Sequence, residues 1–174
     1  MTTLILNEEH YDAVLRELLP AARRFVWVLT ADIKDAFMEG AGGRFIPVLG
    51  VLAEKLREGV EVRIIHAKEP GPRFHEEFDR FPEFLTSDNF DRLLCPRQHM
   101  KVILVDGVRA YIGSANLTGA GIGAKGANRR NFEAGVLTED PALLEKLMAF
   151  CDEFYAGNLC RTCERREYCP NPLA

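Results

Sequence analysis

The chain lacks any apolar run approaching the roughly 20 residues that a membrane-spanning helix needs, and its start, Met1-Thr2-Thr3-Leu4-Ile5-Leu6-Asn7, has neither the basic region nor the cleavage region of a signal peptide. A cytoplasmic protein without stable membrane association is the expectation. Strong charge of one sign is also missing. The formal net charge of −4 over 174 residues gives no global attraction for a polyanion, so nucleic-acid binding would need a local basic patch. Clustered carboxylates and histidine pairs at metal-ligand spacing are absent around the polar motif described below, which argues against two-metal catalysis.

What is present fits one ordinary globular domain. The length suits a single core, and 47% apolar with 28% charged residues argues against long disorder. Glu8 to Ala22 carries Tyr11, Val14, Leu15, Leu18 and Leu19 at helical spacing, with Asn7 placed as an N-cap. Phe25 to Leu29 reads as a buried strand, Ile46 to Arg57 as a helix stopped by Gly59, and Val60 to Ile65 as a strand. Arg73 to Leu85 reads as an irregular helical excursion and Phe90 to Leu94 as an edge strand. Strands at Met100–Val105 and Val108–Ile112 flank Asp106-Gly107, a dipeptide suited to a two-residue hairpin turn. A Gly/Ala-rich loop, 119–130, leads to a strand at Phe132–Leu137. The last long helix is opened by Asp140-Pro141 and runs to about Tyr155. This alternation predicts an α/β/α sandwich with a central mixed sheet.

The chemistry gathers on the predicted hairpin. A turn at Asp106-Gly107 pairs Val105 with Val108, Lys101 with Ile112 and His99 with Ser114, so His99, Lys101, Ser114 and Asn116 share one face. A histidine, a lysine, a hydroxyl and an amide supply a nucleophile or base and donors for phosphoryl oxygens, with no metal required. A satisfied core histidine is the ordinary reading of an isolated His; it is preferred for His10 and His75, and also for His66, which at the end of its strand could alternatively line the site.

His99-x-Lys101-x4-Asp106, followed by Gly113-Ser114-x-Asn116 and by Asn131-Phe132-Glu133, resembles the signature of the phospholipase D superfamily. The resemblance extends through most of residues 5–155 and leaves the tail outside, so 1–157 is expected to form the catalytic domain and 158–174 a Cys-rich extension. It implies a phosphodiesterase in which His99 attacks phosphorus and a second histidine protonates the leaving oxygen. Lys101 and Asn116 would hold the non-bridging oxygens, Ser114 would add a hydrogen bond, and Glu133 would orient a catalytic imidazole. Asp106, out of phase with His99 at the turn, is given a structural role first. Residues 1–95 hold no second complete His-x-Lys-x4-Asp motif, since Arg73 stands where His66-Ala67-Lys68 would need the aspartate, so two chains are expected to supply the two motifs. The resemblance therefore implies a twofold homodimer like the small single-motif bacterial nucleases.

Lys125, Arg129 and Arg130 are candidates for contacting nucleic-acid phosphates, weighed equally with a solvated loop. The expected substrate is DNA or RNA. The alternatives are hydrolysis or transfer of phosphatidyl groups, and a non-catalytic nucleic-acid-binding or regulatory module. No cofactor is required for catalysis. The tail is a separate matter: Cys160-x2-Cys163-x5-Cys169 with Cys151 upstream predicts a structural four-thiolate centre, zinc or an iron–sulfur cluster, with Cys95 as the alternative fourth ligand. Its spacing resembles the iron–sulfur staple of RecB-like nucleases of another fold.

Overall fold

The computed structural model describes residues 1–34 and 36–173. Nine strands are found among them: β1 (Thr2–Leu6), β2 (Phe25–Thr30), β3 (Phe37–Glu39), β4 (Phe45–Pro47), β5 (Glu61–His66), β6 (Phe90–Leu94), β7 (Val102–Val105), β8 (Arg109–Gly113) and β9 (Ala134–Thr138). Seven form one mixed sheet in the order β1-β9-β8-β7-β2-β5-β6, and β3 and β4 pair separately. β2, β5 and β6 run parallel, whereas β7, β8, β9 and β1 add antiparallel ladders. Continuous apolar runs such as Phe25–Leu29 form the centre because a strand covered on both faces has no solvent side to alternate toward.

The two faces have separate cores. On one, Val26, Val28, Val62, Ile64, Ile103 and Val105 meet the helices Tyr11–Leu18, α1 (Val48–Arg57), α2 (Pro72–Phe78) and α3 (Glu83–Thr86). On the other, Trp27, Leu29, Ile65, Val102 and Leu104 pack against α4 (Pro141–Tyr155). The expected α/β/α sandwich with a mixed sheet is what the chain forms. α4 begins as its sequence dictates: the Asp140 carboxylate accepts from the Ala142 and Leu143 amides at 2.9 and 3.1 Å, with Pro141 following it.

Several local expectations need correction. The first helix is π-helical over Tyr11–Leu18 and tightens to a 3₁₀ turn at Leu19–Ala21, so the stretch 8–22 is not one regular α-helix. Asn7 is not its cap. It sits at φ +47° and its carbonyl accepts from the His10 amide at 3.2 Å. The second helix starts at Val48 because Phe45–Pro47 pairs with Phe37–Glu39 as a strand.

The most consequential correction is the hairpin register. β7 and β8 pair Val105 with Arg109 and Val102 with Ile112, one residue away from the expected pairing. Asp106 and Gly107 do form the tight turn, with φ of +55° and +70°, closed by the Val108 amide on the Val105 carbonyl at 3.1 Å. Val108 is then left over as an extra residue, 57% exposed, a bulge that shifts the whole ladder. Such a slip moves every side chain of the partner strand to the other face. Ser114 is therefore not the cross-strand partner of His99; the continued ladder places the Gly113 amide on the Lys101 carbonyl at 3.0 Å.

Candidate active site

The site lies at the open end of the β7–β8 hairpin, where both strands leave the sheet. His99 is exposed and Lys101 half-buried, on irregular chain just before β7. Lys101 Nζ donates to the His99 carbonyl at 2.7 Å and stands 3.2 Å from Nδ1 and 3.5 Å from Nε2 of the imidazole. Partial burial lowers the Lys101 pKa, and the nearby Glu133 carboxylate offsets part of that shift. The ammonium thus folds back on its own motif and is free to be drawn away by an arriving anion.

Ser114 reaches the site despite the slipped register because the chain turns after Gly113 toward β9. The Ser114 amide donates to the Ala134 carbonyl at 2.9 Å, the Ala134 amide donates to Ser114 Oγ at 3.0 Å, and the hydroxyl donates to Glu133 Oε2. This close approach of β8 and β9 requires glycine: a Cβ on Gly113 would fall 2.3 Å from Tyr111 Oη and 2.7 Å from the Gly135 Cα. Tyr111 is itself buried beneath both glycines, and its hydroxyl accepts from the Ala115 amide at 3.0 Å.

Glu133 is held from three directions. Its Oε1 accepts from Asn131 Nδ2 at 3.1 Å, its amide donates to Asn7 Oδ1 at 3.1 Å, and its carbonyl accepts from the Asn7 amide at 2.8 Å. The expected pairing with an imidazole is not made to His99 of the same chain. Asn116 spends its side-chain oxygen on the scaffold, accepting from Thr30 Oγ1 at 3.3 Å and the Asp32 amide at 3.1 Å, which leaves the Nδ2 hydrogens as its free donors. Asn7, Thr30 and Asp32 were invisible to sequence reasoning. They lie about 85 or more residues from the groups they hold, and no local pattern marks them.

Asp106 is not brought to this site. At about 3.3 Å per residue it lies roughly 20 Å along the hairpin from His99, and its carboxylate accepts from the Arg23, Arg24 and Phe25 amides at 2.9, 2.8 and 2.9 Å. Lys125 and Arg129 are exposed on the loop preceding Asn131, while Arg130 turns toward Glu8 at 3.8 Å. The remaining histidines are engaged elsewhere. His66 is fully buried, with Nδ1 on the Lys68 carbonyl at 2.7 Å and Nε2 accepting from Arg92 Nε at 2.9 Å, and burial lowers its pKa. His10 places Nδ1 on the Asn7 carbonyl at 2.9 Å, and His75 pairs with Glu69 at 3.0 Å.

The thiolate set expected from Cys151, Cys160, Cys163 and Cys169 does not assemble. Cys151 is buried between α4 and the sheet with Trp27, Leu104 and Phe154, and burial pushes its thiol up to about 12. Among the described residues no three histidine, cysteine, aspartate or glutamate side chains are arranged to hold an ion. Two hollows meet at His99. The smaller, about 390 Å³, is bordered by Lys101, Gly113, Ser114 and Leu147; the larger, about 600 Å³, runs beneath the C-terminal tail beside Met100, Phe150, Phe154 and Leu159. Among the described residues no helix is long and apolar enough to cross a membrane.

Comparison with known proteins follows the same lines. Residues 15–154 match the family described as cardiolipin synthase, PLD-like domain. No curated protein sequence matches the chain. Among solved structures, NucT from Helicobacter pylori superposes with a TM-score of 0.65 at 15% identity, covering 88% of this chain and 94% of its own. Nuc from Salmonella typhimurium, a phospholipase D family member, gives 0.61 at 17% identity over 88% and 93%. TrmBL2, an archaeal chromatin protein with a novel mode of DNA binding, gives 0.58 at 12% identity, with 88% of this chain matching 51% of that one. With the His99/Lys101 motif at the hairpin mouth and a family match spanning most of its length, the chain belongs to the phospholipase D superfamily.

Proposed function

We propose that the protein is a nuclease that hydrolyses DNA or RNA phosphodiester bonds through a phosphohistidine, with its active site completed across a homodimer. The observation that carries this reading is the exposed His99 with Lys101 Nζ 3.2 Å away, set beside Ser114 and Glu133 at the mouth of the hairpin, while His10, His66 and His75 make their hydrogen bonds elsewhere.

An arriving phosphodiester competes for Lys101, whose ammonium moves from the His99 carbonyl to a non-bridging oxygen. The Asn116 Nδ2 hydrogens are the other donors available to the developing charge. His99 attacks phosphorus as the P–O bond to the leaving group breaks, and the leaving oxygen takes its proton from the partner subunit's His99. Water then attacks the phosphohistidine, gives its proton to that second imidazole, and frees the product phosphate with His99 restored. The two imidazoles must begin in opposite protonation states. Glu133, with lone pairs left after binding Ser114 and Asn131, is the acceptor suited to orient the partner subunit's His99. A twofold axis beside the exposed imidazole satisfies all of this at once. Asp106 has no part in the chemistry; Lys125 and Arg129 are the free cations placed to track a phosphate backbone.

Cleavage of plasmid, single-stranded DNA, RNA and a chromogenic phosphodiester in excess EDTA tests the reading, with His99→Ala beside the wild type. Turnover that resists EDTA and vanishes in the variant is the expected result. Sedimentation should give a dimer; a fully active monomer would sink the shared site. The phosphatidyl reading gains one observation, the apolar hollow beneath Phe150, Phe154 and Leu159 beside His99, and release of headgroup from phospholipid vesicles without nucleic-acid cleavage would favour it.

A further inference from the structure

The C-terminal tail folds back against the segment that carries His99. β6 ends at Leu94, whose amide donates to Asn171 Oδ1 at 3.0 Å. Three residues later Arg97 donates from Nη1 to Cys163 Sγ at 3.4 Å. Between these two ties, four of the five cysteines, Cys95, Cys160, Cys163 and Cys169, line a single cavity. They come from regions 65 or more residues apart in sequence, and the fifth, Cys151, is shut into the core on α4.

We propose that Cys95, Cys160, Cys163 and Cys169 form a four-thiolate metal site, for zinc or an iron–sulfur cluster, that staples the tail to the β6–β7 segment. The proposal stands whether or not the nuclease reading holds. As folded, the thiols border an open cavity and no three of them converge on a point; the metal is what draws them together, since such sites rarely exist preformed without their ion.

The chain is arranged for that closure. Cys160 and Cys163 lie at the ends of one tight turn, with the Cys163 amide on the Cys160 carbonyl at 3.2 Å, the knuckle by which two thiolates from neighbouring positions grip one centre. A further turn, Arg166–Tyr168, delivers Cys169. Cys95 is fixed from the other side: its amide donates to the His66 carbonyl at 2.8 Å and its carbonyl accepts from the Gln98 amide at 2.9 Å. Four thiolates on a divalent ion leave a net charge of −2, which a partly buried site must offset. Arg97, Arg165 and Arg166 line the same cavity, and the Arg97 N–H···S contact is the outer hydrogen bond that thiolate ligands commonly accept.

The site has a mechanical consequence for the chemistry. Only Pro96, Arg97 and Gln98 separate Cys95 from His99, and Gln98 is buried with Nε2 on the Met100 carbonyl at 3.2 Å. Fixing Cys95 fixes the approach to the imidazole, and closing the thiols on a metal reduces the apolar hollow beside it. The family match ends at residue 154, so Cys160, Cys163 and Cys169 lie outside the matched residues.

The test is metal content of the full chain purified both aerobically and anaerobically without chelator. About one zinc per chain is expected, or iron with equivalent acid-labile sulfide and visible thiolate-to-iron absorption; the two arms separate the two centres. Cys95→Ser, Cys160→Ser, Cys163→Ser and Cys169→Ser should each lower loading by about tenfold or more, while Cys151→Ala keeps it. Should the serine variants fail to fold, titration of the wild type with a mercurial decides: four modified thiols per metal released support the site. Wild type that carries no metal and takes up neither zinc nor a reconstituted cluster overturns it, as does Cys95→Ser with full loading or a disulfide among the four.

Discussion

The two ends of the β7–β8 hairpin carry residues of one sequence motif and treat them in opposite ways. At the turn end, Asp106 has its carboxylate filled by three backbone amides of residues 23–25. At the open end, His99 is exposed and Lys101 reaches only its own neighbour. A carboxylate saturated by rigid backbone cannot take part in proton transfer without breaking β2's entry into the sheet. A solvent-facing imidazole beside a partly desolvated ammonium has its capacity unspent. Spacing in sequence binds the two ends together; the hydrogen-bond inventory separates support from chemistry.

The largest expected effect is at the open end. His99→Ala should lower turnover by about 10³-fold or more with an unchanged melting temperature, since the side chain is exposed. Residual activity near wild type would show that another group attacks phosphorus. The turn end should give the reverse result. Asp106→Ala removes the acceptor for three amides and should cost about 2–4 kcal/mol of stability, read by urea unfolding, with turnover per folded molecule retained. A loss of kcat matching that of His99→Ala, in protein still folded, would erase the distinction between the two ends.

Glu133 sharpens the comparison because it belongs to the open end yet is tied to the scaffold. Glu133→Gln keeps the shape and removes the charge, and we expect kcat to fall by about 10–100-fold with KM little changed. An unaltered kcat would reduce Glu133 to a bracket for Ser114.

Lys101 supplies the pH dependence. Burial lowers its pKa, so the cation that holds the phosphoryl oxygens is lost as pH rises, earlier than for an ordinary lysine. Activity should therefore decline as pH rises toward the usual lysine range. Lys101→Arg, which stays protonated, should remove that limb even where it lowers the maximum. An identical alkaline limb in the arginine variant would assign it to another group.

The sandwich was legible in the sequence because it rests on local signals: the apolar runs at 25–29 and 60–65, the turn at Asp106-Gly107, and the Asp140-Pro141 helix start. The hairpin register was not. It hinged on whether Val108 joins the ladder, and a single bulged residue is decided by how Asp106 docks on residues 23–25, a contact more than 80 positions away in sequence. Residue types at the open end could be read from their spacing, but their holders could not. Cys151 misled for a related reason. At helical spacing with Phe154 it reads equally as ligand or core, and only the packing of α4 on Trp27 and Leu104 chooses core.

The smallest expected effect comes from Asn7, which holds Glu133 from the far edge of the sheet through two hydrogen bonds. Asn7→Ala removes the side-chain acceptor and also strains a backbone at φ +47°. Asn7→Gly removes the acceptor and relieves the strain. Both should lower kcat by about 3–10-fold, the equivalent of one ordinary hydrogen bond, whereas only the alanine variant should also lose stability. A glycine variant with wild-type kcat would mean that the strand pairing of β1 and β9 alone positions Glu133, and that the open end is held by its ladder instead of by its side chains.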